Sequence, residues 1–147
     1  MADRVSHWPN VRAKPEFLRR LMIELAGNAR MSVEGDLSQC RFDDDQELTR
    51  DETEILKRST LAPRQDFVVL RLTSDDVGPI FKQVMAAGLN DAIIHVQIER
   101  DGVLELGAYD HFHPESTVTG PGVGHGLLEE LKSTNVLRDF KVAAARN

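Results

Sequence analysis

The chain has little cysteine, few bases where its acids are densest, no long apolar run and no repeat, and each shortage narrows what it is. Cys40 is the one cysteine in 147 residues. It excludes an internal disulfide and suits a reducing compartment. No apolar run approaches the roughly 20 residues that span a bilayer. The opening MADRVSHWPNVRAKPEF also lacks the apolar stretch of a secretory leader. The expected setting is therefore cytoplasmic, with no membrane partner. Without internal repeats or low-complexity linkers, residues 1–147 are expected to form a single α+β domain, with 1–13 as an N-terminal arm. That length buries a core without metal or disulfide.

Positive charge is scarce where negative charge is dense. From Glu34 to Glu54 nine acids meet only Arg41 and Arg50, so this segment carries −7 in a chain of net −6. Nucleic-acid surfaces need the opposite sign to release counterions. Direct binding to DNA or RNA is not expected.

What is present has clear periodicity in places. Pro15 suits the first position of a helix. Phe17, Leu18, Leu21, Met22 and Leu25 then recur at helical spacing, and Gly27-Asn28 supplies the stop. RMSVEGDLSQCRF alternates at Met31 and Val33 and reads as a strand or bent hairpin. Residues 43–65 are left open among a solvated loop, a short helix and an edge strand. DFVVLRL reads as a strand, and Val77, Ile80, Phe81, Val84 and Met85 as the apolar side of a helix ended by Gly88. DAIIHVQIERDGVLELGAYD reads as a β-hairpin, LLEELKSTN as a short helix and VLRDFKVA as a last strand. The order over about residues 66–142 is that of a ferredoxin-like βαββαβ core. The N-terminal helix and the additional strand or hairpin are appended to it.

Side-chain parity chooses the hairpin loop. A two-residue Asp101-Gly102 loop sets the Ile94, Val96, Ile98 row beside Glu105. A three-residue Arg100-Asp101-Gly102 loop puts Ile94, Val96, Ile98, Leu104, Leu106 and Ala108 on one face, so the longer loop is expected. The other face then carries His95, Gln97, Glu99, Glu105 and Tyr109, which water is expected to wet.

Four features carry chemistry. In YDHFHPE an extended backbone would point His111 and His113 the same way, and Asp110 or Glu115 could add an oxygen ligand. Such a set suits zinc or another divalent ion. The plainer alternative is a structured loop in which Phe112 anchors to the core and the histidines bond to backbone. On the polar hairpin face, His95 with Glu105 and Tyr109 is a candidate acid–base group, against a plain solvated or oligomer-forming surface. GPGVGHGLLEEL places glycines before a helix N-terminus but lacks the Lys-Ser/Thr pair of a phosphate loop, and reads as a connection. Finally, Asp43, Asp44, Asp45, Glu47, Asp51, Glu52 and Glu54 form either a solvated face or a docking surface for a basic protein.

The preferred reading is a non-enzymatic protein-binding module, inhibitory or regulatory, that meets a basic partner through the acidic surface and uses no cofactor. Immunity-type inhibitors of nucleases offer an analogy of charge and size. The alternatives are a small metal-assisted hydrolase on the His111/His113 loop, and a small-molecule sensor on the free sheet face. The same face is the expected contact of any homo-oligomer.

Overall fold

A computed structural model describes residues 6–143. Its strands are β1 His7–Val11, β2 Ala29–Gly35, β3 Glu47–Thr49, β4 Asp66–Leu72, β5 Ile93–Arg100, β6 Val103–Ala108, β7 Thr117–Thr119 and β8 Leu137–Val142. Its helices are α1 Lys14–Leu25, α2 Val77–Ala87 and α3 His125–Ser133. The strands form a single antiparallel sheet in the order β3-β4-β2-β5-β6-β7-β1-β8.

The helices form where the apolar spacing lies. Phe17, Leu18, Leu21, Met22 and Leu25 of α1 are all fully buried, each contributing roughly 1.5–3 kcal/mol by leaving water. They pack with Val77, Ile80 and Val84 of α2 and Leu128 and Leu131 of α3 in one core. The sheet side of that core is Met31, Val33, Val68, Leu70, Leu72, Val96, Ile98, Leu106 and Ala108. These residues share one strand parity, so the helices cover one face of the sheet. A smaller cluster of Leu56, Phe67 and Val69, with Ile55 and Leu104 against it, lies on the opposite face.

Three expectations change. The arm at 1–13 contains a strand: β1 pairs with β8 from His7↔Val142 to Val11↔Leu137, and with β7 only at His7↔Thr119. Pro9 lacks a donor and reads as a strand breaker. It is accommodated because the β7 pairing ends before it. Residues 1–5 lie outside the described residues.

The βαββαβ unit expected over 66–142 is not contiguous. β2 lies between β4 and β5, and β7 and β1 lie between β6 and β8. The strand expected as an addition, β2, is internal to the sheet.

The hairpin, third, uses the shorter loop. Arg100 pairs with Val103, and Asp101 and Gly102 both have positive φ, 52° and 79°, as a type I′ turn requires. A bulge then shifts the register, so that Glu99 faces Leu104 but Ile98 faces Leu106. The extra residue, Glu105, restores apolar parity for Leu106 and Ala108. Leu104 is left with the smaller cluster, and Ile94 is half-buried.

Candidate functional site

The polar side of the sheet is built in rows by cross-strand pairing. Glu34 stands beside Phe67 and His95, Ser32 beside Val69 and Gln97, and Arg30 beside Arg71 and Glu99. Water was expected to wet this face. Instead Ser32, Glu34, His95, Gln97 and Glu99 are buried, and the connection from β3 to β4 crosses over Glu34, His95 and Gln97. Leu56 enters the smaller apolar cluster and brings the loop backbone down onto the polar rows.

All of these groups but Glu99 find hydrogen-bond partners on that loop or on a neighbouring strand. The Glu34 carboxylate accepts the backbone N–H of Ser59 at 2.8 Å and of Thr60 at 3.1 Å. Gln97 Oε1 accepts the Lys57 N–H at 3.2 Å and the Ser32 hydroxyl at 2.9 Å, while its Nε2 donates to the Tyr109 oxygen at 2.9 Å. Glu99 is ion-paired with Arg30. Charge-assisted bonds from buried carboxylate to backbone N–H are strong, since both groups would otherwise be desolvated without compensation.

His95 is the pivot of this network. The Asp110 N–H donates to its Nδ1 at 3.1 Å, so that nitrogen carries no proton. The proton sits on Nε2 and faces the Thr60 hydroxyl oxygen at 2.7 Å. Burial pushes the imidazole below its ordinary pKa. Glu34 and Asp110 oppose that, and His111 reinforces it. Neutral His95 with both nitrogens engaged holds chain segments together.

The other two acid–base candidates do not complete a dyad with it. The Tyr109 ring lies 5.7 Å from the His95 ring and covers Gly107, where a Cβ would come within 2.8 Å of it. Glu105 is carried by the bulge to the glycine loop. A Cβ on Gly120 would stand 2.3 Å from one carboxylate oxygen, and one on Gly122 would stand 1.6 Å from the other. Those glycines therefore make room for a carboxylate, the opposite of a phosphate cradle.

The metal candidates sit in an unusual turn. Asp110, His111 and Phe112 all have positive φ, 50°, 58° and 62°, so the extended backbone on which a shared direction was argued is absent. His111 Nδ1 faces the Leu89 carbonyl at 2.9 Å, and His113 Nδ1 accepts the Glu115 N–H at 3.1 Å. Phe112 is buried against Phe17, ring centroids 6.2 Å apart. Asp110, His113 and Glu115 are exposed. Among the described residues no group of three or more His, Cys, Asp or Glu side chains is placed to hold a metal ion.

The acidic segment surrounds β3 at the sheet edge. Asp43, Asp44, Asp45, Asp51, Glu52 and Glu54 are exposed, and the half-buried Glu47 pairs with Arg50 at 2.6 Å. Its start is tied to the fold through Gln46, which donates to Asp76 at 3.2 Å. Asp76 also accepts from Thr73 N–H at 2.9 Å, Thr73 Oγ1 at 2.7 Å and Arg71 Nε at 3.0 Å. Arg71 first, then the Thr73 and Gln46 donors, hold its carboxyl far below the usual carboxylate range against its burial.

A cleft of about 750 Å3 lies at the Arg30–Arg71 end of the sheet, and both arginines are ion-paired, with Glu99 and Asp76. A second, about 390 Å3, opens beside the exposed Trp8 and Lys141 of β1 and β8. Burial, followed by nearby Asp36, raises the half-buried Cys40 thiol, which opposes a nucleophilic role. No protein-family model matches the chain, and no match was found among curated proteins or solved structures.

Sequence reasoning overlooked Glu34, Ser59 and Thr60 as a structural unit. Glu34 was counted among the acids without regard to its place in a strand. Its alternation with Ser32 against Met31 and Val33 is a signal that it lies on the sheet's second face.

Proposed function

We propose that this chain is a non-enzymatic protein-binding module, inhibitory or regulatory, that engages a basic partner through the acidic loop of residues 43–54. The observation that carries the reading is the division of labour in that loop. The chain that continues it, Lys57 to Thr60, is pinned to the sheet by Gln97, Glu34 and His95, while six of the seven named acids remain exposed. A held loop loses little conformational freedom on binding. Exposed like charges steer an oppositely charged partner and are relieved by it. Leu48, 50% exposed on β3, and Leu61, 78% exposed, supply apolar contact within the charged rim. The lone thiol suits a reducing, cytoplasmic setting for this encounter.

The test has two steps. Capture from a lysate, followed by mass spectrometry, supplies a partner. Association rates against salt are then measured for wild type and the triple variant Asp43→Asn, Asp44→Asn, Asp45→Asn. At low salt the variant should associate about tenfold more slowly. The gap should close as the screening length falls to about 8 Å. Equal rates at low salt would reduce the acidic run to a solvated loop.

A further inference from the structure

Within the segment dominated by exposed acids, one cleft has the opposite sign. It measures about 290 Å3 and is lined by Arg50, Arg58, Arg64, Gln65, Asp66 and Phe67. Three arginines thus line a small volume against one acid in the lining, Asp66, and one paired beside it, Glu47, which leaves a net positive charge of one. Arg50 is matched, through Nε to Glu47 Oε1 at 2.6 Å and Nη2 to Oε2 at 3.3 Å. Arg58 is not. Its guanidinium lies over the Phe67 ring, 4.9 Å from the centroid, and donates to the Gln65 carbonyl at 3.3 Å and the Arg50 carbonyl at 3.2 Å. Carbonyls and an aromatic face orient a cation without neutralising it. The adjacent Glu52 accepts the Arg58 backbone N–H at 3.0 Å. Arg64 is exposed and has no ion pair or side-chain hydrogen bond among the described residues. Asp66 is the one acid in the lining, and its Oδ2 accepts the Leu37 N–H at 3.0 Å.

We propose that this cleft binds a compact tetrahedral oxyanion, phosphate or the phosphate group of a small monoester. A guanidinium has five donors. Arg58 uses two and Arg50 uses two, so several N–H groups remain for the oxygens of such an anion. Bidentate arginine contacts suit phosphate geometry. The stacked Arg58 is the preorganised half of the site, and the unattached Arg64 closes on the ligand. The volume lies just under the roughly 300–1,000 Å3 of ordinary small-molecule pockets, which favours a phosphate with a short organic body over a nucleotide. This site adjoins the acidic docking surface through Arg50, and its test needs no protein partner.

The test is titration of the full chain with inorganic phosphate and with glycerol phosphate, by calorimetry at constant ionic strength set with chloride. Wild type should show one saturable site with a dissociation constant below about a millimolar. Arg64→Gln should weaken it at least about tenfold while leaving the melting temperature in phosphate-free buffer unchanged, because the side chain supports nothing else. Arg58→Gln should weaken it as much, with some loss of stability from the lost stacking. Arg19→Gln, on exposed α1 surface, should bind as wild type does. Equal affinity for both ligands identifies the free ion as sufficient, and tighter ester binding identifies an organic body in the cleft. Absence of saturable binding by wild type, or equal weakening in Arg64→Gln and Arg19→Gln, overturns the proposal.

Discussion

Two long connections lie side by side over the same sheet and use their side chains in opposite ways. In the turn after β6, the side chains themselves hold the turn in place: His113 caps Glu115, His111 bonds the Leu89 carbonyl, and Phe112 enters the core. In the connection that follows the acidic run the holding groups belong to the sheet: Gln97 and Glu34 accept the N–H groups of Lys57, Ser59 and Thr60, while the acids before them are mostly exposed, Glu52 also accepting the Arg58 N–H. A loop that holds itself leaves few groups for a ligand. A loop held from below keeps its side chains available. The histidine-rich stretch, which attracts attention first, is thus the poorer candidate, and the acidic run the better one. His95 joins the two, with Nδ1 on Asp110 and Nε2 on Thr60.

The contrast breaks most severely at Glu34. Glu34→Ala removes the acceptor of two loop N–H groups and should cost about 3 kcal/mol. Amide exchange should accelerate at Ser59 and Thr60 while staying slow at His111, whose N–H bonds the Ile94 carbonyl at 2.9 Å. Protection unchanged at Ser59 and Thr60 would mean that Leu56 alone holds the loop.

Asp76→Asn attacks the other anchor, at Gln46. It keeps the shape but loses the charge that Arg71 and Thr73 stabilise, and should cost about 2 kcal/mol in denaturant melts. The same carboxyl titrates well below its ordinary value. Its contribution is therefore present above the unfolded carboxylate range and is lost as pH falls through the folded value.

The histidines produce a separate acid effect at higher pH. Burial lowers His95, and burial followed by His125 lowers His7, both from 6.5. Unfolded chain then takes up protons first as pH falls. Stability should be full above about pH 6.5 and decline below it through the folded values. His95→Gln should flatten part of that decline, and His7 should account for the remainder. A pH profile unaffected by His95→Gln would remove its pivotal role.

The smallest effect sharpens the comparison from the other side. Asp110 holds φ 50°, a conformation costing an L-residue roughly 1–2 kcal/mol and glycine little. Its backbone N–H, which bonds His95, survives substitution. Asp110→Gly should leave stability unchanged or raise it by about 0.5 kcal/mol, glycine's larger unfolded entropy offsetting part of the relief. A loss exceeding 1 kcal/mol would assign the carboxylate a role beyond this turn.

Much of the helix layer was legible from spacing. Phe17 to Leu25 and Val77 to Val84 announce their buried faces, and Gly88 ends α2 where expected, with its N–H on the Val84 carbonyl. The alternation of β2, β4 and β5 was legible for the same reason. Three strands were not, among them β3, which lies in the segment left open. Pro9 disguised β1. The short β7 was absorbed into a long polar connection, although Thr117-Val118-Thr119 is a β-branched run that could have marked it. The hairpin was argued as a choice between two loop lengths, and a bulge at Glu105 gave a third solution with the shorter loop and the correct core parity.

Composition and periodicity by themselves determined that the fold is α+β, which side chains face the helices, and that a dense run of acids must stand largely in water. They left open what covers the second face of the sheet. An alternating polar residue has the same pattern whether its partner is solvent or a backbone N–H. Only the tertiary structure brings Ser59 to Glu34, 25 residues away, and Thr60 to His95, 35 residues away. Those meetings depend on Leu56 being drawn into an apolar cluster with Phe67 and Val69. Hydrophobic burial is non-directional and acts between residues distant in sequence, so local pattern carries no record of where such a loop will land.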